Sequence, residues 1–207
     1  GRDTSCRRVT TFILNPPMPM HKSLIFSPYN MAADRMVWID LEMTGLDPEK
    51  ESIIEIATIV TEGDLEIVAE GPTFAISTPE YLIAGMDSWN TEHHTSNGLI
   101  ERVRTDSISM SEAEFRTLEF LNQYCDPGKL PLCGSSIHHD RRFLRRQMPK
   151  LDEFFHYRIV DVSSIKGVID RWYPKGPRIR TKSGHRALED IRRSIKELRF
   201  FRENFFK

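Results

Sequence analysis

Residues 36–61 read MVWIDLEMTGLDPEKESIIEIATIVT. Met36–Glu42 is a short run rich in β-forming side chains, Thr44-Gly45-Leu46-Asp47-Pro48 carries turn chemistry, and Ser52–Thr61 is a longer apolar run. Gly63-Asp64 makes a further turn into a third strand over about Glu66–Ser77. Three successive strands joined by short turns predict an antiparallel meander. Within its first strand Asp40 and Glu42 stand two residues apart, so both side chains leave the same face.

Beyond the meander the pattern changes. Pro79–Met86 and Asp87–Ser96 read as short helices. Ser111-Glu112-Ala113-Glu114 has the form of a capping box, opening a helix with Phe115, Leu118, Leu121 and Cys125 on one stripe. Leu130–Cys133 is a fourth strand ending in Gly134-Ser135-Ser136; helices follow over Asp140–Met148 and up to Phe155. Tyr157–Val162 is a fifth strand, and Ser163–Tyr173 is helical up to Pro174. A last helix over about Gly184–Phe201 places Leu188, Ile191, Ile195 and Leu198 on one face. A meander followed by βα units predicts an α/β fold: a mixed five-stranded sheet, antiparallel then parallel, with helices on both faces.

The acidic residues suggest chemistry. Two carboxylates side by side on a central strand repel each other and lose hydration, which a cation would relieve; a solvated strand end is the alternative. Asp140 lies where the chain leaves a strand and enters a helix, a common place for a site in an α/β sheet, although Asp is also a favoured helix cap. Asp190 stands at the edge of the last helix's apolar stripe, five residues after His185. Five helical steps diverge by about 140°, so His185 and Asp190 converge only if His185 sits ahead of the helix, which Gly184 permits; otherwise His185 is a surface or capping residue. Carboxylates from three separate segments with one histidine point to a two-metal hydrolase. Oxygen ligands select Mg²⁺ or Mn²⁺, and two such ions about 4 Å apart stabilise the attacking and leaving oxygens of a phosphodiester. The histidine would take the proton from the attacking water.

Composition limits the partners. Lys+Arg number 29 and Asp+Glu 30, a formal charge of −1, far from the basic excess of a protein that grips long duplexes. At 39% hydrophobic and 29% charged residues, 207 residues suit one soluble domain, and no apolar run is long enough to span a membrane. Cys6, Cys125 and Cys133 have no CxxC spacing, which argues for a reducing compartment and against a zinc site. Residues 1–30 form a leader with Arg2, Arg7, Arg8 and Lys22 against Asp3 alone, and with Pro16, Pro17, Pro19 and Pro28. It reads as a non-domain segment: vector-derived or upstream-translated residues, an organellar presequence, or a functional arm. Residues 31–207 then form the single domain, cytoplasmic, or mitochondrial if the leader is a presequence.

The set Asp40, Glu42, Asp140, His185 and Asp190 resembles the DEDDh exonucleases. Longer strings are similar to those of the oligoribonuclease family: WIDLEMTGL (38–46), IIEIATIVT (53–61), AEGP (69–72), PLCGSSI (131–137), DRRFL (140–144), FHYR (155–158), DVSSIK (161–166) and HRALEDI (185–191). The resemblance implies an RNase H-like fold, a homodimer, and 3′→5′ hydrolysis of very short RNA, dinucleotides above all, to mononucleotides. It implies that Asp40, Glu42, Asp140 and Asp190 hold two divalent cations and that His185 is the general base. It implies substrate contacts as well: Leu46 wedged between two bases, Trp89 stacked on a base with His94 in the same helix, and Ser136, Arg158 and Ser163 around the 5′ phosphate. Tyr157 would reach across the dimer into the partner's site. The family's usual G-N-S appears here as Gly134-Ser135-Ser136, which puts the loop ahead of Asp140 in question.

Other readings of the residues compete. Trp89 and Tyr157 would also suit packing positions, and Leu46 an ordinary turn. The acid-free stretch Lys175–Arg186 reads as a solvated loop or a substrate attractor. On function, the alternatives are a catalytically silent RNA-binding domain on the same fold, or the same chemistry on longer single-stranded RNA or DNA 3′ ends.

Overall fold

The structure is a computed structural model, and it describes residues 34–181 and 184–206; the leader assigned to residues 1–30 lies outside them. At its centre are β1 (Met36–Met43) and the antiparallel β2 (Ile53–Thr61). All nine residues of β2 are buried, because helices cover both faces of the sheet there. Thr44 and Glu51 bond across the β1–β2 turn, and Ser52 N–H donates to Thr44 Oγ1 at 3.0 Å. A Cβ at Gly45 would meet the Glu51 side chain at 2.8 Å, so glycine lets the turn close while Leu46 projects outward.

The third strand foreseen over Glu66–Ser77 is two. β3 (Ile67–Glu70) and β4 (Phe74–Ile76) pair separately with the two ends of β2. The break is at Gly71, whose N–H bonds Thr58 O at 2.8 Å; a Cβ there would strike the Phe120 ring at 2.8 Å. A two-residue strand, β5 (Ser107–Ile108), adds parallel to β4, while β6 (Leu132–Gly134) and β7 (Ile159–Asp161) add in parallel on the β1 side. The sheet therefore has seven strands, not five, in the order β5-β4-β2-β1-β6-β7 with β3 also on β2. Two- and three-residue strands are too short for a period-two pattern to reveal.

Strand alternation sorts β1 into two faces. Val37, Ile39 and Leu41 pack into a cluster with Phe143 and Leu144 of α5 (His138–Gln147) and Leu151 and Phe154 of α6 (Pro149–Phe154). Trp38 faces the other way, against Val162 and Ile169 of α7 (Val162–Trp172) and Ile191 and Ile195 of α8 (Ala187–Phe205). Its indole N–H is satisfied by Thr61 Oγ1 at 3.1 Å. Each such buried large apolar side chain contributes about 1.5–3 kcal/mol. A third cluster lies under α1 (Glu80–Ala84) and α3 (Leu99–Thr105), with α2 (Ser88–Ser96) joining them; α3 was not foreseen in the sequence.

Two further expectations need correction. The helix after β5, α4 (Met110–Leu121), is capped by Ser109, which accepts from Glu112 N–H at 3.2 Å, so the cap lies two residues earlier than read. Its buried face is Ala113, Glu114, Thr117 and Leu121, and Phe115 is 60% exposed. Among the described residues no helix is long and apolar enough to cross a membrane.

Candidate active site

Asp40 and Glu42 follow Trp38 on the β1 face toward α8, and Asp190 in the first turn of α8 comes down onto them. Ligand oxygens of Asp40, Glu42 and Asp190 all lie within 4.8 Å of one another. Asp140, in the first turn of α5, is not in that triple; its Oδ1 accepts the Leu41 N–H at 2.9 Å, which pins the helix start to β1 between the two acids. Asp140 and Asp190 are 7% and 6% exposed.

The cluster is electrostatically frustrated. Burial, then the neighbouring Asp140, Glu42 and Asp190 carboxylates, hold Asp40 well above the usual range. Glu42 is pushed up to about 8 by burial and by Asp190, Glu55 and Asp140. Burial lifts Asp140 to about 7 against the opposing Leu41 N–H bond. A close set of hard oxygen donors whose charges cannot all be solvated suits a divalent cation. Glu55 sits directly opposite Glu42 in the β1–β2 register but is engaged by Arg102 and Arg186, so it is a wall of the site rather than a free donor.

His185 lies ahead of α8 as the helical geometry required, at φ 49°. Its ring meets Trp89 edge-on at 5.0 Å and His93 at 4.5 Å between centroids. Trp89 stacks on His93 at 4.0 Å and is 52% exposed, so it is not a packing residue. The foreseen base and the foreseen stacking ring therefore touch, and His93 meets both. His93 went unnoticed in the sequence, although i,i+4 spacing from Trp89 on a helix would have found it. Leu46 is 64% exposed at the turn that follows β1.

His94 differs from its expected substrate contact. It is only 2% exposed, bonded through Nε2 to Met43 O at 3.2 Å, with Nδ1 4.0 Å from a Glu42 oxygen. Burial holds its pKa below the ordinary value. It stands behind Glu42 rather than on an open face.

Of the foreseen phosphate contacts, Ser136 and Ser163 meet, while the Arg158 guanidinium lies over the Tyr157 ring. Ser136, at φ 53°, donates through Oγ to Ser163 Oγ at 3.1 Å. Asp161 organises both: its Oδ1 accepts the N–H of Ser136 at 2.8 Å and of Ser163 at 3.0 Å. Asp161 opens the DVSSIK string, but its role as a shared acceptor emerges only in the fold. Tyr157 precedes β7 and is 74% exposed, with the Arg158 guanidinium 5.5 Å from its ring centroid. Arg141 fixes that corner by donating to the His156 and Tyr157 carbonyls at 2.9 and 3.0 Å and pairing with Asp152. Ser135 shares a 2.9 Å hydrogen bond with Ser194, whose hydroxyl donates to Asp190 O. Ser135 thus ties its loop to the helix of Asp190.

Residues 37–198 match the exonuclease family. The chain is 56% identical over 173 residues to an oligoribonuclease from Dichelobacter nodosus, covering 84% of this chain and 96% of the relative. It is 56% identical to one from Coxiella burnetii over 82% of this chain and 93% of the relative. An Escherichia coli K12 oligoribonuclease is 51% identical over 84% and 97%. Among solved structures, an exonuclease I superposes with a TM-score of 0.66 at 13% identity, over 83% of this chain and 41% of that one, a likeness of fold. The RNase H-like fold, the carboxylate cluster and these relatives agree: the chain belongs to the exonuclease family and, within it, to the DEDDh oligoribonucleases, which are 3′→5′ exoribonucleases.

Proposed function

We propose that the chain degrades very short RNA, 5′-phosphorylated dinucleotides above all, to mononucleoside 5′-phosphates. The observation that carries this reading is the convergence of Asp40, Glu42 and Asp190 within 4.8 Å. Asp40, Glu42, Asp140 and Asp190 are the residues that would hold two divalent cations, Mg²⁺ or Mn²⁺. Bound there, the cations supply the positive charge that a phosphodiester requires as it is displaced. Trp89 and Leu46 hold two bases without reading sequence. Ser136, Ser163 and Arg158 receive the 5′ phosphate, with Asp161 orienting the two serine backbones. His185 takes the proton of the attacking water at a ring nitrogen. Tyr157, 74% exposed on its own chain, serves the site of a second copy in a homodimer.

A length series of 5′-labelled RNA, from two to about seven nucleotides, with Mn²⁺ and with chelator, tests the reading. Dinucleotides should be cut at least as well as heptamers, and removal of the 5′ phosphate or Arg158→Ala should weaken dinucleotide binding about tenfold, the scale of one charge-assisted bond. A heptamer bound and cut better than the dinucleotide would replace the capped site with an open groove for longer strands.

A further inference from the structure

The general base proposed above lies on a turn, not on a helix or strand. Its backbone is at φ 49°, in the left-handed region that few non-glycine residues adopt. Three elements converge on that turn. Asn97, the C-terminal cap of α2, donates from Nδ2 to His185 O, and its Oδ1 accepts Leu99 N–H at 3.0 Å. Arg186 donates from Nη1 to Asn97 O at 3.3 Å. The same guanidinium forks onto Glu55, with Nε 3.1 Å from one oxygen and 3.2 Å from the other, and Nη2 at 2.8 Å. Glu55 also accepts the Ala187 N–H at 3.0 Å, the first residue of α8, and pairs with Arg102 of α3 at 2.7 Å. Glu55 is fully buried on β2, the best-enclosed strand of the sheet.

We infer that Asn97 and the Glu55–Arg186 pair are positioning residues for His185: a clasp that anchors its turn to β2 and to the α2–α3 corner. The arrangement links the base to the helix of Trp89 and His93, whose rings meet the His185 ring. The clasp holds the His185 carbonyl on one side and its neighbour's guanidinium on the other. Displacement of a catalytic group by about 1 Å costs up to about a hundredfold in rate. The hydrogen bonds of Asn97 go to the His185 turn and the start of α3, not to the carboxylate cluster, so its effect on turnover would pass through His185.

The inference rests on the base role proposed for His185, and the experiment separates the two. Turnover of a 5′-phosphorylated diribonucleotide with Mn²⁺ is measured for Asn97→Ala, His185→Ala and the double variant, together with hydrogen–deuterium exchange over residues 184–190 in chelator. Asn97→Ala should lower kcat about ten- to a hundredfold with KM nearly unchanged, and should speed exchange over 184–190. The double variant should be no slower than His185→Ala, since a positioning residue has nothing left to position. Asn97→Asp, which keeps the shape but removes the donor, should be at least as impaired as Asn97→Ala. Multiplying losses in the double variant, or unchanged exchange in Asn97→Ala, would overturn the clasp. If His185→Ala turned over like the unaltered protein, the base role would fall, and the exchange result alone would decide whether the clasp holds the turn. Glu55→Gln is the companion variant; because removing a buried charge endangers folding, Asn97→Ala carries the decision.

Discussion

Glu42 stands beside Asp190 and opposite Glu55, and its carboxyl is raised from an ordinary 4.5 to about 8. A carboxyl raised on folding binds more protons in the folded state than in the unfolded one between those two values. Its contribution to stability is therefore nil below about pH 4.5 and increasingly unfavourable as pH climbs to 8. At about 1.4 kcal/mol per unit, the penalty reaches a few kcal/mol in metal-free protein. Glu42→Gln should thus raise the Tm of the chelated protein at pH 8 and change it little at pH 4.5. Mn²⁺ should stabilise the unaltered protein far more at pH 8 than at pH 5, and the variant less at either pH. Thermal melts across that range check this; a variant less stable than the parent at pH 8 in chelator would mean that burial and the neighbouring carboxylates do not penalise the charged Glu42. Asp190→Asn and Asp140→Asn should each abolish turnover with the fold kept, since the amide fills the same space and, at Asp140, its oxygen still accepts Leu41 N–H. Circular dichroism and the dinucleotide assay together check both, and near-normal activity in either would remove that residue from metal binding.

At the scale of elements, what was legible in the sequence was what repeats over several residues. β1 and β2 run for eight and nine residues, long enough for composition and turn chemistry to mark them. The spacing of His185 and Asp190 set a condition, that His185 stand ahead of the last helix; that helix was expected from about Gly184 and begins at Ala187, which leaves His185 outside it. The unforeseen parts are short or depend on contacts distant in sequence. β5 has two residues, and the break at Gly71 is set by the ring of Phe120, nearly fifty residues away. Glu55 reads as one more polar residue in an apolar strand, and only the fold brings Arg186 to it, 131 positions later. The α4 cap was misread because Ser109 and Ser111 both start plausible S-x-x-E patterns; the hydrogen bond from Glu112 decides for Ser109. Ser109→Ala should therefore cost about 1 kcal/mol, while Ser111→Ala should be close to neutral. Urea denaturation of the two variants distinguishes the registers, and the reverse order would restore the later cap.

For the whole molecule, the near-neutral charge and the exposed Tyr157 concern the same question of what completes the site. With 29 basic and 30 acidic residues there is little general attraction for a polyanion, so affinity must come from a few placed contacts. Tyr157, proposed above as such a contact, lies against His156 and Arg158 of its own chain. It is 74% exposed, its backbone is fixed by Arg141, and its ring carries the Arg158 guanidinium. Holding an exposed aromatic rigidly outward costs entropy and exposes apolar surface, a cost offset if a second copy receives it. In a twofold dimer each tyrosine would enter the other's site, so every site draws on both chains. Complementation follows. Asp140→Asn protein has no working carboxylate set but an intact tyrosine; Tyr157→Ala protein has the reverse. Each should be nearly inactive alone. In a mixed dimer the Tyr157→Ala chain keeps its own carboxylates and receives its partner's tyrosine, which restores one site of two. With equal amounts and random exchange, recovery should approach about a quarter of the unaltered activity. Mass spectrometry of the intact dimers establishes that subunits have exchanged. If they have and activity stays at the sum of the two variants, Tyr157 serves its own chain and the site closes without a partner.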